Sequence, residues 1–575
     1  MNGGLKVQLA NMLKAAMAAS LGFEEDPAIM EASDVRFGDY QSNVAIRLAR
    51  KLNQNPRDVA CQVVKRLELN GIGLPEIAGP GFINLRLNPG WLGGLIGSRI
   101  NHPRLGIEPT PNPQKIIVDF SSPNVAKRMH AGHLRSTIIG DALVRILRFA
   151  GHEVLGDNHV GDYGTQFGLL IYGFKCFLDT EGFTRDAVAE LERLYQVMTE
   201  LCKGDSNVEA ACKAELVKLQ SGDPDNASLW ENIVLISRAE AAKIYRRLGV
   251  EFELWRGESY YAQSLAPLVG ELASRGLAKN SEGALAVFFP KSEDLSGQPF
   301  LIQKSDGGYL YSTTDIATLK SRVEELKADR IIYVVDSRQA LHFKQLFATA
   351  RLMGYQTELE HVGFGMMLGS DGRPFRTRDG GTIRLEALID EGEARIKPLV
   401  QRKWPDMPAE EMHETCARIA VGAIKYADLS HNLETDYKFD WDKFLNPDGN
   451  TGPYLQYTLV RAGSVLRTSA EKTGTHVTSE EGAICLETAE DVQLGKALLG
   501  FPDVIEEVAA ALRPHLLCEH LYRIARAYNL LYSKRPIIWA ENEEVCRSRL
   551  TLSLFVRRTL RTGLDILNIP QTERM

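Results

Sequence analysis

The spacing of apolar positions along this chain changes from segment to segment, and each spacing predicts a different kind of element. Apolar residues recur at helical intervals over 5–20 and 56–69, whereas FINLRL at 82–87 alternates like a strand. After a Pro-rich polar stretch, GIEPTPNPQ at 106–114, comes the continuous apolar run KIIVDF at 115–120, which reads as a buried strand. Ile138, Ile139, Ala142, Leu143, Ile146 and Leu147 share one helical face, and Gly151 closes that helix. Residues 152–160 read as the next strand, RIIYVVD at 330–336 as another, 340–353 as a helix closed by Gly354, and 358–367 as a further strand. Strands alternating with helices predict an α/β doubly wound parallel sheet. A helical, loop-rich insertion at about 168–308 separates its two halves. From about residue 384 the pattern is helical throughout, with apolar helical spacing at 490–512 and 516–531.

Length and composition narrow the picture. A chain of 575 residues exceeds a single core and points to about three domains. We expect an α+β domain over 1–108, a Rossmann-like domain over 109–383, and a helical bundle over 384–575. No apolar run reaches the ~20 residues needed to cross a bilayer, and the N-terminal 20 residues read as amphipathic rather than as a leader peptide. The eight cysteines are scattered, with no C-x-x-C pair, so neither a zinc site nor a disulfide framework is expected, and a cytoplasmic setting is. Net charge is −7, which speaks against a nucleic-acid partner at the scale of the whole molecule. Residues 513–575 nevertheless carry 11 Lys and Arg against 6 Asp and Glu, and a local patch matters more than the total.

Candidate chemistry concentrates in SSPNVAKRMHAGHLRSTIIGD at 121–141, directly after the first buried strand. Ligands of open parallel sheets bind at the carboxyl ends of the strands. A helix beginning near His130 directs free N–H groups and its positive dipole end there, which suits an anion. His130 and His133 are three apart and share a face. Gly132 admits close approach of a ligand to the backbone, and Lys127, Arg128 and Arg135 add positive charge. Such a set of donors suits a polyphosphate. A bare H-x-x-H is common, and it is the strand–loop–helix context that gives this one meaning.

His130-Ala131-Gly132-His133 resembles the "HIGH" signature of class I aminoacyl-tRNA synthetases. The whole 121–141 string resembles arginyl-tRNA synthetases in particular. So do RFGDYQSNVA at 36–45, GPGFINL at 79–85, VGDYGTQFGLL at 160–170, YLYSTTDI at 309–316, GMMLGSDGRPFRTRDGGT at 365–382 and TGPYLQY at 451–457. The resemblance covers nearly the whole chain, in order.

It implies an arginine–tRNA ligase. Arginine and ATP, with Mg²⁺, give arginyl-adenylate and pyrophosphate, and arginine then passes to the 2′-hydroxyl of the terminal adenosine of tRNA(Arg). It implies no tightly bound cofactor and no metal ligands in the protein. ATP would meet His130, Ala131, Gly132, His133 and Arg376. Arginine would meet Tyr311, Asp315 and Glu258 at its guanidinium and Asp119 and Asn124 towards its amino end, with Gln339 completing the set. A planar, permanently charged guanidinium calls for such carboxylates and an aromatic face. The late loop lacks the lysines of the second class I signature. Lys127 would supply that cation, while Arg376 and Arg378 stay open between phosphate contacts and solvated charges. The N-terminal domain would touch the tRNA corner and the helical bundle its anticodon, with Tyr454, Tyr457, Arg461 and Tyr528 as candidate contacts. No membrane contact is implied, and a monomer is the family default. Another adenylate-forming nucleotidyltransferase would share H-x-G-H but lack the Tyr311/Asp315 pair. A catalytically silent relative has no reason to keep His130, His133, Lys127 and Asp315.

Overall fold

The computed structural model describes residues 4–290, 295, 297–369, 371–373, 375, 383–477 and 484–575. It divides into two compact units, 111–442 and the combination of 1–110 with 443–575.

The unit 111–442 is built on four parallel strands: β1 (Lys115–Asp119), β2 (Glu153–Asp157), β3 (Arg330–Asp336) and β4 (Glu358–Phe364). Their order is β4-β3-β1-β2, with Ile331 beside Ile117 and Asp119 beside Asp157. The chain leaves β1 towards β2 on one side, then crosses back to add β3 on the other. This reversal opens a crevice at the C-terminal ends of β1 and β3, where doubly wound sheets take their ligands.

Helix α1 (Ala131–Ala150) links β1 to β2 and ends at Gly151, whose φ of 104° is left-handed. The apolar spacing predicts one buried face, yet α1 is buried on nearly every side, Arg135, Thr137 and Asp141 included. The reason is a second layer, helices 385–403 and 409–429, which also packs on α1. Arg135 shows how a charge is accommodated there. Its guanidinium donates to Gly365 O at 2.6 Å and to Asp428 Oδ1 at 3.3 Å. Helices 385–403 and 409–429 therefore belong to this unit, and the cut between units falls after Asp442 rather than at 384.

The insertion contains α2 (Thr165–Phe177), α3 (Ala187–Gly204), α4 (Ser206–Gln220) and α5 (Pro224–Leu248). It also holds a three-stranded antiparallel sheet, Ala278–Ser281, Ala284–Val287 and Phe300–Gln303, where the sequence reading expected only helix and loop. These strands have four residues each, too short for a period to stand out. Helix α6 (Tyr311–Glu324) follows and leads into β3, and α7 (Ala340–Met353) joins β3 to β4. The last strand is shorter than the expected 358–367: it ends at Phe364, and Met367–Leu368 pair separately with Tyr437–Lys438.

In the other unit, an antiparallel sheet (Met30–Glu31, Tyr40–Ser42, Phe82–Leu87, Gly73–Ala78) and helices Leu5–Leu21, Val44–Leu52, Pro56–Arg66 and Pro89–Ile100 pack with the C-terminal helices. Asp503 accepts the free N–H of Lys6 at 2.9 Å, at the start of the first helix. Lys496 pairs with Asp39 at 2.5 Å. The run 490–512 is two helices, Ala489–Leu499 and Phe501–Ala511. Pro502, with no N–H to donate, falls at the start of the second, where none is needed.

Candidate active site

The loop after β1 is held in a conformation that ordinary residues avoid. Ser121, Ser122 and Ala126 have φ of 73°, 47° and 60°, each costing about 1–3 kcal/mol unless the surroundings impose it. Here they do. Ser121 N donates to Ser136 Oγ at 2.8 Å, and Ser121 Oγ meets Thr137 Oγ1 at 2.8 Å and Tyr245 Oη at 2.7 Å. Ser122 N donates to Asn158 Oδ1 at 3.1 Å, and Ala126 N to Ser237 Oγ at 2.9 Å. Tyr245 and Ser237 stand on α5, so the helical insertion braces this loop.

The two histidines cap α1. His130 Nδ1 accepts from Gly132 N at 3.0 Å, and His133 Nδ1 accepts from His130 N at 3.1 Å. A nitrogen that accepts carries no proton, so each ring holds its proton on Nε2. Burial, and then the Lys127 charge, lowers the pKa of His130. Burial, and then His130, takes His133 down to about 3. Both are neutral N–H donors at physiological pH rather than cations. Gly132 is required by this cap: a Cβ there would sit 2.8 Å from His130 Cε1. Its first role is to admit the capping ring, in addition to the ligand approach expected from sequence.

The histidines, with Ala131, Gly132 and Asn124, line a crevice of about 580 Å³ whose far wall is Asp336, Arg338, Gln339 and Phe364–Met367. Gln339 and Arg338 also line an adjoining pocket with Tyr311 and His342. His342 Nε2 of that pocket lies 2.7 Å from Asp315 Oδ2, and the His342 ring is 5.3 Å from that of Tyr311. The start of α6 is pinned by Ser312 Oγ to Leu301 O and Thr313 Oγ1 to Ile302 O.

Glu258 reaches the same region. Its N–H bonds Val160 O at 3.1 Å, and Asp162 accepts Ser259 N and Ser259 Oγ, both at 2.8 Å. Burial raises the Glu258 pKa to about 7. His159 opposes the rise, and the Asp315 carboxylate adds to it. Carboxylates that feel each other raise one another's pKa, and a cation placed between them would favour both charged forms. Beneath lies a buried triad in which Arg322 donates to Asp119 Oδ2 and Asp157 Oδ2, each at 2.7 Å. Asp119 and Asp157 are cross-strand neighbours, a repulsive pairing that the guanidinium neutralises. Burial disfavours the Arg322 charge, but the two carboxylates raise its pKa well above the usual value.

Comparison with known proteins follows this geometry. Residues 98–441 match the family described as "tRNA synthetases class I (R), catalytic domain", residues 5–87 the "Arginyl tRNA synthetase N terminal domain", and residues 455–575 the "DALR anticodon binding domain". An arginine–tRNA ligase of Saccharophagus degradans is 44% identical over 99% of this chain and 99% of that protein. One of Escherichia fergusonii is 44% identical over 98% of each. Among solved structures, the arginyl-tRNA synthetase of Plasmodium falciparum superimposes with a TM-score of 0.85 at 28% identity, covering 100% of both chains. The chain belongs to the arginyl-tRNA synthetase family.

With the arginyl-tRNA synthetase fold in view, the residues singled out in the sequence separate into groups. His130, His133, Ala131, Gly132, Asn124 and Gln339 share the crevice. Tyr311 lines the adjoining pocket, Asp315 meets His342 of that pocket, and the Asp315 charge bears on Glu258. Asp119 lies beneath, engaged by Arg322 and by Ser122 Oγ at 3.2 Å.

The expected cluster of phosphate-facing cations is not assembled. Arg135 is buried against Asp428, and Arg128 pairs with Asp186. Lys127 lies 4.3 Å from the Tyr195 ring centroid, on the other side of the loop from the crevice. Arg376 and Arg378 lie outside the described residues. Two described cations line the crevice: Arg135, whose guanidinium is committed to Asp428 and Gly365 O, and Arg338, 75% exposed and 2.7 Å from Asp336. Among the tRNA candidates, Tyr528 is a correction: its ring is fully buried and its hydroxyl donates to Ser553 Oγ at 3.2 Å, so it has no face for a base. Tyr454 and Tyr457 are half-buried, and Arg461 stacks over Tyr457 at 4.7 Å and over the exposed Tyr532 at 4.8 Å.

Sequence reasoning missed His342, His159 and Arg338. His342 sits three residues beyond Gln339, within reach of a helix-period reading of 340–353, but nothing in the sequence tied it to Asp315.

Proposed function

We propose that ATP occupies the crevice at the ends of β1 and β3, that arginine occupies the adjoining pocket, and that the chain joins arginine to tRNA through an arginyl-adenylate. Arginine–tRNA ligases match the chain end to end at 44% identity, and charging of tRNA with arginine is its activity. The observation that carries the site assignment is the junction at Gln339. On one side are two neutral imidazoles with Nε2–H donors at a helix start, and on the other a Tyr311/Asp315 pair with Glu258 nearby.

In the first step the arginine carboxylate attacks the α-phosphorus of ATP and pyrophosphate leaves. His130 and His133 donate Nε2–H bonds to phosphate oxygens as charge builds on them, and the free N–H groups of α1 add to this. Being neutral already, they change no protonation state during the step. Lys127 leaves Tyr195 by side-chain rotation to supply a cation. Asp315 and Glu258 take the guanidinium against Tyr311, while Asp119, Asn124 and Gln339 position the amino end. In the second step the 2′-hydroxyl of the terminal adenosine attacks the arginyl carbonyl and AMP leaves. Mg²⁺ arrives with ATP as part of that substrate. Among the described residues no cluster of three His, Cys, Asp or Glu side chains is placed to hold a metal, and no helix is long and apolar enough to cross a membrane. Residues 1–108 touch the tRNA corner and the C-terminal helices its anticodon, by stacking on exposed rings such as Tyr457 and by phosphate contacts. The protein works as a cytoplasmic monomer, a setting that accords with its free thiols.

The test is ATP–pyrophosphate exchange with each amino acid in turn, with and without tRNA. Exchange that depends on arginine is expected. Exchange driven by another amino acid, or by none, overturns the pocket assignment.

A further inference from the structure

Three cysteines on successive helices converge within the helical insertion, away from the crevice. Cys202, in the last turn of α3, and Cys212, on α4, place their Sγ atoms 3.8 Å apart. Both line a cavity of about 440 Å³ together with Thr165, Leu169 and Lys203. Cys176, exposed at the end of α2, is close enough for its charge to bear on Cys212. The active-site reading uses none of these thiols.

The two sulfurs differ in access and in freedom to move. Cys212 is buried, with 4% of its surface exposed, and its backbone is pressed onto α2: a Cβ at Gly168 would lie 2.3 Å from Cys212 O. Cys202 is half-buried and two residues from the end of its helix, where a last turn lacks continuing hydrogen bonds. A disulfide needs about 2.05 Å between sulfurs, so the closing movement falls to the Cys202 side chain.

We infer that Cys202 and Cys212 form a modification site, a dithiol that closes to an intramolecular disulfide by exchange with a small-molecule disulfide entering through this cavity. Cys202, as thiolate, attacks one sulfur of the reagent. The reagent's S–S bond breaks and its first thiolate leaves. Cys212 then gives up its proton to solvent and attacks Cys202 Sγ. The mixed S–S bond breaks and the second thiolate leaves. Two cysteine thiols are oxidised, one external disulfide is reduced to two thiols, and the cysteine protons pass to these products through solvent. Burial first, and then the neighbouring Cys202 thiol, pushes the Cys212 pKa up to about 12. Burial persists once Cys202 is in the mixed disulfide, so the second step quickens as pH rises. Its proximity still favours it strongly over attack by an external thiol.

The experiment treats the reduced full-length protein with glutathione disulfide and maps every cysteine by peptide mass. The exposed Cys61 and Cys176 serve as internal controls and are expected to carry glutathione. Cys202 and Cys212 are expected as a cross-link two hydrogens lighter, with glutathione on neither. Cys212→Ser is expected to stop at the first step, leaving glutathione on Cys202 for a time on the order of 10²-fold longer than in the unsubstituted protein. Cys202→Ser is expected to leave Cys212 unmodified. A stable glutathione adduct on Cys202 of the unsubstituted protein overturns the inference. So does recovery of both thiols reduced while Cys61 and Cys176 react.

Discussion

His342 Nε2 stands 2.7 Å from Asp315 Oδ2, and its ring lies 5.3 Å from those of Tyr311 and Phe300. One carboxylate oxygen is thereby engaged by an imidazole, and in the proposed arginine pocket Oδ1 would take the guanidinium. Asp315→Asn keeps the shape and loses the charge, so kcat/KM for arginine is expected to fall by the ~2–5 kcal/mol of a broken buried charge pair. The KM for ATP is expected to hold. His342→Ala is expected to raise the arginine KM by a smaller factor, about tenfold, because Asp315 remains but is no longer oriented. Steady-state kinetics with each substrate varied in turn checks both. Loss of ATP affinity with arginine binding intact would remove Asp315 from the pocket.

Glu258 supplies a pH dependence. Its pKa in the free protein is about 7, raised chiefly by burial. In the proposed pocket its carboxylate form would bind the guanidinium and its protonated form would not. Below about pH 7, then, kcat/KM for arginine is expected to fall by up to about tenfold per pH unit, and above it to level off. Glu258→Gln is expected to lower the plateau and flatten the acid limb. The pH profile of the variant decides, since a limb that persists unchanged belongs to another group.

The histidines separate capping from catalysis. His130→Asn can still accept Gly132 N at the helix start, whereas His130→Ala forfeits the cap at about 1 kcal/mol. Neither presents Nε2–H to phosphate, so both are expected to lose ~10²–10³ in adenylate formation. Denaturant melts are expected to place the Asn variant near the parent and the Ala variant below it. Near-parental activation in the Asn variant would show that the imidazole does no more than cap.

Lys127 is stacked on Tyr195 at 4.3 Å. If it swings to the phosphates, Lys127→Ala is expected to slow adenylate formation by ~10². Tyr195→Ala, which frees the ammonium without removing it, is expected to change the rate by less than about threefold, since exposed cation–π contacts contribute only about 0.5–1 kcal/mol. Single-turnover adenylate formation with tRNA present measures both. An unaffected Lys127→Ala would point to Arg338, the exposed one of the two described cations that line the crevice.

The alternation of apolar strands and helices over 115–160 and 330–364 determined the parallel sheet, because period and run length follow from which faces are buried. The H-x-G-H string after a buried strand likewise located a helix start at the sheet's carboxyl edge, which is a local property of the chain. Tyr311 and Asp315, one helical turn apart, were legible for the same reason. What pairs between different elements was not. Arg135 looked like a phosphate-facing cation until Asp428 and Gly365 closed around it. Tyr528 looked like a base-stacking ring until the helical bundle buried it. His342 meets Asp315 only because α7 packs against α6, and Cys202 meets Cys212 only because α3 turns back along α4. Periodicity records which side of an element is buried. Which charge meets which partner, and which histidine stays neutral, are set by burial and distance that exist only once the chain has folded.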